Sequence, residues 1–190
     1  MKDDTRKEIM AIVENADNGD EEAMLTFIGM TSLSSELISN PFAVKKRNEY
    51  IVKLVEDGNP AGFILAGDDY LNGNILERNI EKAVAYYYLA ANSGETFGYE
   101  LIAKMHFEGD GLPVNYELAY EFLKKSEDSN DGQMRSDLGY FFMGEMFYHG
   151  LYVAKDWAKA KDYFKEVMKK YYGGDYYMKA CERVACMNAL

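Results

Sequence analysis

The two histidines are the side chains best suited to acid-base chemistry, because an imidazole changes its charge at about pH 6.5. His149 follows Glu145 by four residues, which places both side chains on one helix face, next to Tyr148. The three could form a small polar site, although a solvated helix end is the more common outcome. His106 stands where two related segments carry an aromatic ring, so we interpret it as a packing residue. A catalytic site would need a nucleophile beside such a base, or several ligands at helix spacing, and the sequence predicts neither.

Two cysteines and two adjacent aspartates are the other candidates for metal or redox chemistry. Cys181 and Cys186 are five residues apart on a predicted helix, do not face each other well and lack a spacing typical of zinc sites. Asp68 and Asp69 point in different directions on a helix, which argues against a paired-carboxylate site. The glycines separate helices and do not follow a strand, so no phosphate-binding loop is indicated. We therefore predict a protein without a metal, a cofactor or an enzymatic activity.

The charge of the chain favours some partners and disfavours others. The 190 residues carry a formal net charge of -11, and the isoelectric point is near 4.7. Nucleic acid and anionic membrane surfaces would be repelled, whereas a basic or neutral protein suits this surface. Six of the first eight residues are charged, no apolar run has the length of a membrane span, and two cysteines are too few for a disulfide framework. These features predict a soluble cytoplasmic protein.

Three segments of the chain repeat one another with the same internal spacing. The first contains Ala66, Gly67, Tyr70, Gly73 and Ala83; the second Ile102, Ala103, His106, Gly109 and Ala119; the third Met143, Gly144, Phe147, Gly150 and Ala160. The separations of 36 and 41 residues between the last alanines are typical of arrays of paired helices. Each repeat therefore predicts two helices that meet at a glycine turn.

The small residues in these segments indicate close packing of the two helices. A glycine inside a helix costs about 1 kcal/mol relative to alanine, so Gly67 and Gly144 are favourable only where close packing returns more. We expect Gly67 and Ala83 to make room for Tyr86 and Tyr70 against the neighbouring backbone.

The run from Ala66 to Gly73, followed by Asn79, Lys82-Ala83, Tyr86-Tyr87 and Ala90-Ala91, resembles the Sel-one-like repeat, a relative of the tetratricopeptide repeat. Met143-Gly144, Phe147, Gly150, Asp156, Lys159-Ala160 and Tyr163-Phe164 resemble the same pattern. The resemblance covers roughly residues 20 to 173. It implies an all-α fold, a right-handed α-α superhelix of paired antiparallel helices.

The repeat pattern divides a single domain, residues 1-190, into units with capped ends. We expect an N-terminal capping helix in 1-19, a degenerate repeat in 20-58, repeats in 59-94, 95-131 and 132-173, and a C-terminal capping helix in 174-190. The first cap should turn Ile9, Met10, Ile12 and Val13 toward the core. Residues Ser34-Phe42 and Ser126-Gln133 are the most loop-like segments.

The resemblance also implies a binding surface, because the first helix of each pair lines the concave face in tetratricopeptide-like arrays. The positions that this places in the groove are Ile64, Asp68, Leu71, Glu100, Lys104, Phe107, Phe141, Glu145 and Tyr148. They form a mixed aromatic and charged strip, which suits a protein or peptide partner because rings bury a large area and charges set the register.

The favoured function is a scaffold or adaptor that binds a protein on this face. Some small bacterial proteins resembling this family neutralise a toxin, and a short acidic array is compatible with that role. A hydrolase is the alternative, since some cysteine-rich arrays of this kind are linked to β-lactam binding or hydrolysis, but this chain lacks their regular cysteine pairs and an S-x-x-K motif. A third alternative is self-assembly as a homo-oligomer. It would use C-terminal apolar surface at Cys181, Val184, Ala185, Met187 and Leu190.

Overall fold

The computed structural model describes residues 3-73, 77-170 and 173-189. These residues form eleven α-helices and no strand, which confirms the predicted all-α fold class. The helices are α1 (Asp3–Asp17), α2 (Glu21–Leu33), α3 (Ser35–Ile38), α4 (Pro41–Glu56), α5 (Pro60–Asn72), α6 (Ile80–Asn92), α7 (Phe97–Glu108), α8 (Tyr116–Ser129), α9 (Asp137–His149), α10 (Trp157–Lys170) and α11 (Asp175–Asn188). Within the described ranges, no helix combines the length and the apolar character needed to cross a bilayer.

The helices pack in consecutive pairs, as short connections between antiparallel neighbours require. The tightest pairs are α5 with α6, α7 with α8, and α9 with α10. Helix α2 pairs with α4, and the single turn of α3 lies between them. Helix α1 covers α2 at one end of the array, and α11 covers α9 and α10 at the other. The apolar side chains form two core clusters, one centred on α1 to α5 and one extending from α6 to α11.

The turn inside each repeat is closed by the same two hydrogen bonds. In the first of the three clear repeats, the Asn79 amide donates to the carbonyl oxygen of Tyr70 at 2.9 Å. The Asn79 side chain then caps α6 by accepting from the amide of Lys82 at 2.9 Å. Asn115 and Asp156 make the equivalent bonds in the next two repeats. Gly73 ends α5 with φ +67°, a left-handed conformation that glycine adopts without strain.

Each repeat pairs a small residue on its first helix with a bulky residue on its second helix. A Cβ atom on Gly67 would overlap the ring of Tyr87, and a Cβ atom on Gly144 would overlap the ring of Phe164. The same register in the middle repeat places Leu123 opposite Ala103, and both are fully buried. In the middle repeat, alanine replaces the glycine and leucine replaces the facing aromatic residue, so the smaller leucine leaves room for the methyl group of alanine.

The structure corrects the sequence-based assignment of the ring that lies against Gly67. That ring belongs to Tyr87, not to Tyr86. Tyr86 instead stacks on Tyr70, with ring centroids 5.8 Å apart and 11° between their planes. Two further stacked pairs occupy the equivalent positions, His106 with Phe122 and Phe147 with Tyr163. These stacked ring pairs thus pack beside the contact between the glycine and the Tyr87 ring, and they do not take part in it.

Two local expectations also differ from the structure. Residues Ser34-Phe42 do not form an irregular loop, because Ser34 caps α3 and Asn40 caps α4, with Pro41 in the first turn of α4. The predicted loop Ser126-Gln133 begins only after α8 ends at Ser129. In α1, Ile9 and Val13 are buried as expected, but 53% of Met10 is exposed. Met10 lies about 100° around the helix from Ile9, outside the stripe that faces α2.

We predict that Gly144→Ala lowers the free energy of unfolding by about 1–3 kcal/mol, because the new methyl group displaces the Phe164 ring. The added change Phe164→Leu reproduces the middle repeat and should recover part of this loss. Urea denaturation of the two variants and the wild type measures both effects.

The matched control is Gly29→Ala in the middle of α2, where a Cβ atom would have nothing within 4 Å. It should leave stability unchanged or raise it by up to about 1 kcal/mol. Equal losses for the two alanine variants, or no recovery in the double variant, would contradict the packing explanation.

Candidate protein-binding groove

An open, mainly apolar depression lies between the first helices of successive repeats. It has a volume of about 720 Å³ and walls from α2, α5, the start of α7 and residues 135–136. Because several consecutive repeats surround one depression, the array curves around this side. The apolar lining consists of Leu25, Ile28, Leu33, Ile64, Leu65 and Phe97. We call this depression and the two smaller ones beside α5 the inner groove.

Leu33 is the most exposed large apolar side chain at the groove, with 91% of its surface accessible. It stands at the last position of α2, where Ser34 ends the helix and turns the chain into α3. Ile64 and Leu65 lie opposite on α5 and are half-buried. An apolar side chain of a partner that entered this space would remove these surfaces from water, which is the main source of binding energy at such sites.

The two smaller depressions lie on either side of the C-terminal half of α5 and are more polar. One, of about 580 Å³, lies toward α2, α3 and α4; the other, of about 200 Å³, lies toward α7. Asp68 and Asn72 line both of them. The first also contains the Arg47 guanidinium, which donates two hydrogen bonds of 2.8 Å to Asp69. This bidentate pair is largely buried and joins α4 to α5.

Asp68 lies at the centre of the inner groove. Its Oδ1 accepts a 2.7 Å hydrogen bond from the Tyr87 hydroxyl. Burial raises the pKa of Asp68 above its ordinary value of 3.8, and the nearby Asp69 adds to this rise. The Tyr87 hydrogen bond opposes the rise, as do the positive charges of Lys104 and Arg47. The charged form of this carboxyl is therefore less well stabilised than that of an ordinary surface aspartate.

The structure brings four of the sequence-predicted residues together beside α5 and α7. Ile64 lines the apolar depression, whereas Asp68, Leu71 and Lys104 line the smallest one. Phe107 and Tyr148 are half-buried further along the first helices. The Phe107 ring packs on Phe142 with centroids 4.7 Å apart, and the Tyr148 ring stacks on Trp157.

The other three predicted positions, Glu100, Phe141 and Glu145, are buried, so the expectation that they face an open groove needs correction. The ring of Phe141 is covered by Tyr176 of α11. Glu145 accepts two hydrogen bonds from Arg183, also on α11. The C-terminal capping helix thus covers the first-helix surface of the last repeat.

Glu100 is fully buried and connects three elements. Its carboxylate accepts hydrogen bonds from the Ser126 hydroxyl at 2.8 Å, from the Arg135 amide at 2.6 Å and from the Ser136 hydroxyl. Ser126 belongs to α8, and Ser136 caps α9. Burial raises the pKa of Glu100 more than these hydrogen bonds lower it. Glu100 therefore holds residues 135–136 in place at the wall of the inner groove.

Sequence analysis missed the part of the groove that precedes Ile64. Leu25, Ile28 and Leu33 lie on α2, in the segment for which we predicted a degenerate repeat with a pattern too weak to align. Phe97 stands at the edge of a repeat and Arg135 lies in a loop. At such positions the helical periodicity does not predict which side chains reach the groove. Leu33 gave one signal, since an apolar residue directly before a helix stop is often accessible.

The histidines and cysteines do not assemble a chemical site. His106 is half-buried and stacks on Phe122, which confirms its predicted packing role. The Nε2 atom of His149 lies 3.5 Å from Glu145, whose carboxylate already binds Arg183. Cys181 and Cys186 are free thiols. In the described part of the chain, no group of three or more His, Cys, Asp or Glu residues could hold a metal ion. The geometry of the groove therefore supports binding by burial and charge.

Comparison with known proteins places this architecture in a family. A family model described as the Sel1 repeat matches residues 63–95, 98–131 and 138–166. No curated protein matches the chain. Among solved structures, a protective antigen of uropathogenic Escherichia coli with an SLR fold superposes with a TM-score of 0.69 at 18% identity. That match covers 94% of this chain and 36% of the antigen, so this chain spans about a third of it.

Two further solved structures are Sel1 repeat proteins, and both superpose with a TM-score of 0.56. The protein from Oxalobacter formigenes is 21% identical over 71% of this chain and 94% of its own. The protein from Klebsiella pneumoniae subsp. pneumoniae is 18% identical over 98% of this chain and 86% of its own. At these identities the similarity concerns the fold alone.

We predict that Glu100→Gln changes how stability depends on pH. A carboxyl whose pKa is raised by folding contributes stability that is present below its unfolded pKa, about 4.5, and is lost as the pH rises through the folded value. The glutamine variant lacks this loss. Its free energy of unfolding relative to wild type should therefore increase as the pH rises above about 4.5, measured by urea denaturation.

The matched control is Glu121→Gln on the exposed surface of α8. Its pH profile should run parallel to that of the wild type. A parallel profile for Glu100→Gln as well would show that Glu100 does not carry this pH dependence.

Proposed function

The chain belongs to the Sel1 repeat family, and from this premise we propose that it is a non-enzymatic scaffold that binds a protein or peptide in the inner groove. Sel1 repeat proteins commonly act in protein-protein interactions. The observation that carries the proposal is the accessible apolar depression between α2, α5 and α7, with Leu33 at its edge. Large exposed apolar surface in a concave site is typical of partner binding.

The proposed contact surface keeps those predicted residues that reach the surface. Ile64 would contact apolar side chains of the partner, and Asp68 and Lys104 would set its register by charge. Leu71 borders the same depression as Lys104. Phe107 and Tyr148 would extend the contact toward α9. Leu33 and Phe97 are added from the structure.

The charge distribution supports a basic or neutral partner. Residues 1–123 contain 22 acidic and 10 basic side chains, whereas residues 124–190 contain 10 acidic and 11 basic ones. The net negative charge of the chain therefore lies entirely in residues 1–123, which include α2, α5 and α7. A field of this sign accelerates the encounter with a basic protein and repels nucleic acid.

A toxin-neutralising role is a narrower form of this proposal, and the acidic surface supports it because a basic toxin would be captured rapidly. A cytoplasmic site of action would fit the two free cysteines. The toxin role requires binding that is tight at low salt and weakens steeply as salt is added. A neutral or acidic partner would count against it.

We predict that Leu33→Asp abolishes partner capture. The tagged wild type and this variant would be incubated with lysate of the native cell, and retained proteins would be quantified by mass spectrometry. A charge at the rim of the apolar depression has to be desolvated when a partner binds, which should reduce retention at least tenfold.

The matched control is Leu89→Asp, a leucine on α6 that is 47% exposed and does not line the groove. Circular dichroism would first establish that both variants fold. A partner retained by wild type and Leu89→Asp but lost by Leu33→Asp supports the groove. Partners that depend equally on both leucines, or on neither, contradict it.

A further inference from the structure

The Asp68 carboxylate forms no direct ion pair with the residues that the structure describes. Among the described residues, no nitrogen of a lysine, arginine or histidine side chain lies within 4 Å of its carboxylate. In the described part of the chain, the one hydrogen bond to the Asp68 carboxylate comes from the hydroxyl of Tyr87. A half-buried carboxylate with a single neutral donor is poorly solvated, and it gains when a positive charge approaches.

The two nearest cations are already engaged with other carboxylates. Both terminal nitrogens of Arg47 donate hydrogen bonds to the Asp69 carboxylate. Lys104 lies 3.8 Å from Glu108, four residues further along α7. Rotating either side chain to Asp68 would leave another carboxylate without its partner. Arg47 and Lys104 therefore stabilise the Asp68 carboxylate only from a distance. A lysine or arginine of a partner could form the direct ion pair.

The carboxylate is accessible from two directions and adjoins the apolar depression. Asp68 lines both polar depressions beside α5. Ile64, one helical turn earlier, lines the apolar depression, so the Cβ atoms of the two residues are about 6 Å apart. One partner segment can thus reach both the apolar space and the carboxylate.

We propose that the inner groove binds a peptide segment that places one large apolar side chain in the depression beside Ile64 and one lysine or arginine against Asp68. This inference rests on the proposed function and adds the chemistry of the ligand. The spacing of about 6 Å corresponds to residues three or four apart in a bound helix, or two apart in an extended segment. The ligand pattern is therefore an apolar residue with a basic residue at one of these distances.

The charge and apolar contributions have separate roles in this binding. The apolar anchor supplies most of the affinity through the area that it buries. The ion pair selects a basic residue at one position of the peptide and adds a salt-dependent contribution to the affinity. An acidic residue at that position would face Asp68 and be rejected.

The experiment is a selection of random peptides displayed on phage against immobilised protein, in parallel for wild type, Asp68→Asn and Asp162→Asn. Asparagine keeps the oxygen that accepts from Tyr87, so Asp68→Asn should fold normally. Asp162 is a matched control, because its side chain on α10 is 78% exposed and its neutralisation changes the net charge equally. Selected peptides would be synthesised and their affinities measured by calorimetry at low and high salt.

The wild type and Asp162→Asn should enrich peptides with an apolar residue and a lysine or arginine at the stated spacing. Asp68→Asn should enrich the apolar residue alone. It should bind the wild-type peptides about tenfold more weakly, with a reduced salt dependence. Affinity for Leu33→Asp should fall for both kinds of peptide.

Several outcomes would overturn the inference. Enriched peptides that bind in the groove but lack the basic residue, or that bind Asp68→Asn as well as wild type, would refute the role of Asp68 and leave the scaffold function intact. Failure to enrich any peptide whose binding depends on Leu33 would count against both the role of Asp68 and the scaffold function. Light scattering that shows a dimer broken by Leu33→Asp would assign the groove to a second copy of this chain instead.

Discussion

The close contact between the two helices of each repeat is the constraint on which the rest of the structure depends. Gly67 and Gly144 leave room for one aromatic ring each, and Ala103 leaves room for the smaller Leu123. Because these contacts are fully buried and closely packed, the helix pair has one stable separation and rotation. That rotation sets which residues of α5, α7 and α9 point toward the neighbouring repeat and which reach the inner groove.

Buried polar groups then fix how one repeat sits on the next. Arg47 and Asp69 join the degenerate repeat to the first clear one, and Glu100 joins α7 to α8 and the start of α9. Glu145 and Arg183 attach the final cap. A buried charge is tolerated only where its hydrogen bonds are satisfied. These contacts therefore stabilise one register between neighbouring repeats and destabilise the others. Asp68 differs from them because it lies at the groove and forms no direct ion pair with the described residues.

Much of the fold could be predicted because its signals are local. The repeat register, the paired helices and the packing role of His106 follow from short-range patterns, and all of them appear in the structure. The segment Ser34-Phe42 was predicted as a loop because its serines and proline are common in loops, yet the same residues are also helix caps. The composition alone could not distinguish the two.

The sequence by itself determined the helical class, the number of clear repeats and the turn chemistry, because hydrogen bonds between residues close in the chain decide these features. Only the tertiary structure decided which first-helix residues are accessible. Glu100, Phe141 and Glu145 occupy the same kind of position as Ile64 and Asp68, but they are covered by residues 135–136 or by α11. A residue's exposure depends on what packs over it from distant parts of the chain, and no periodicity within a single helix carries that information.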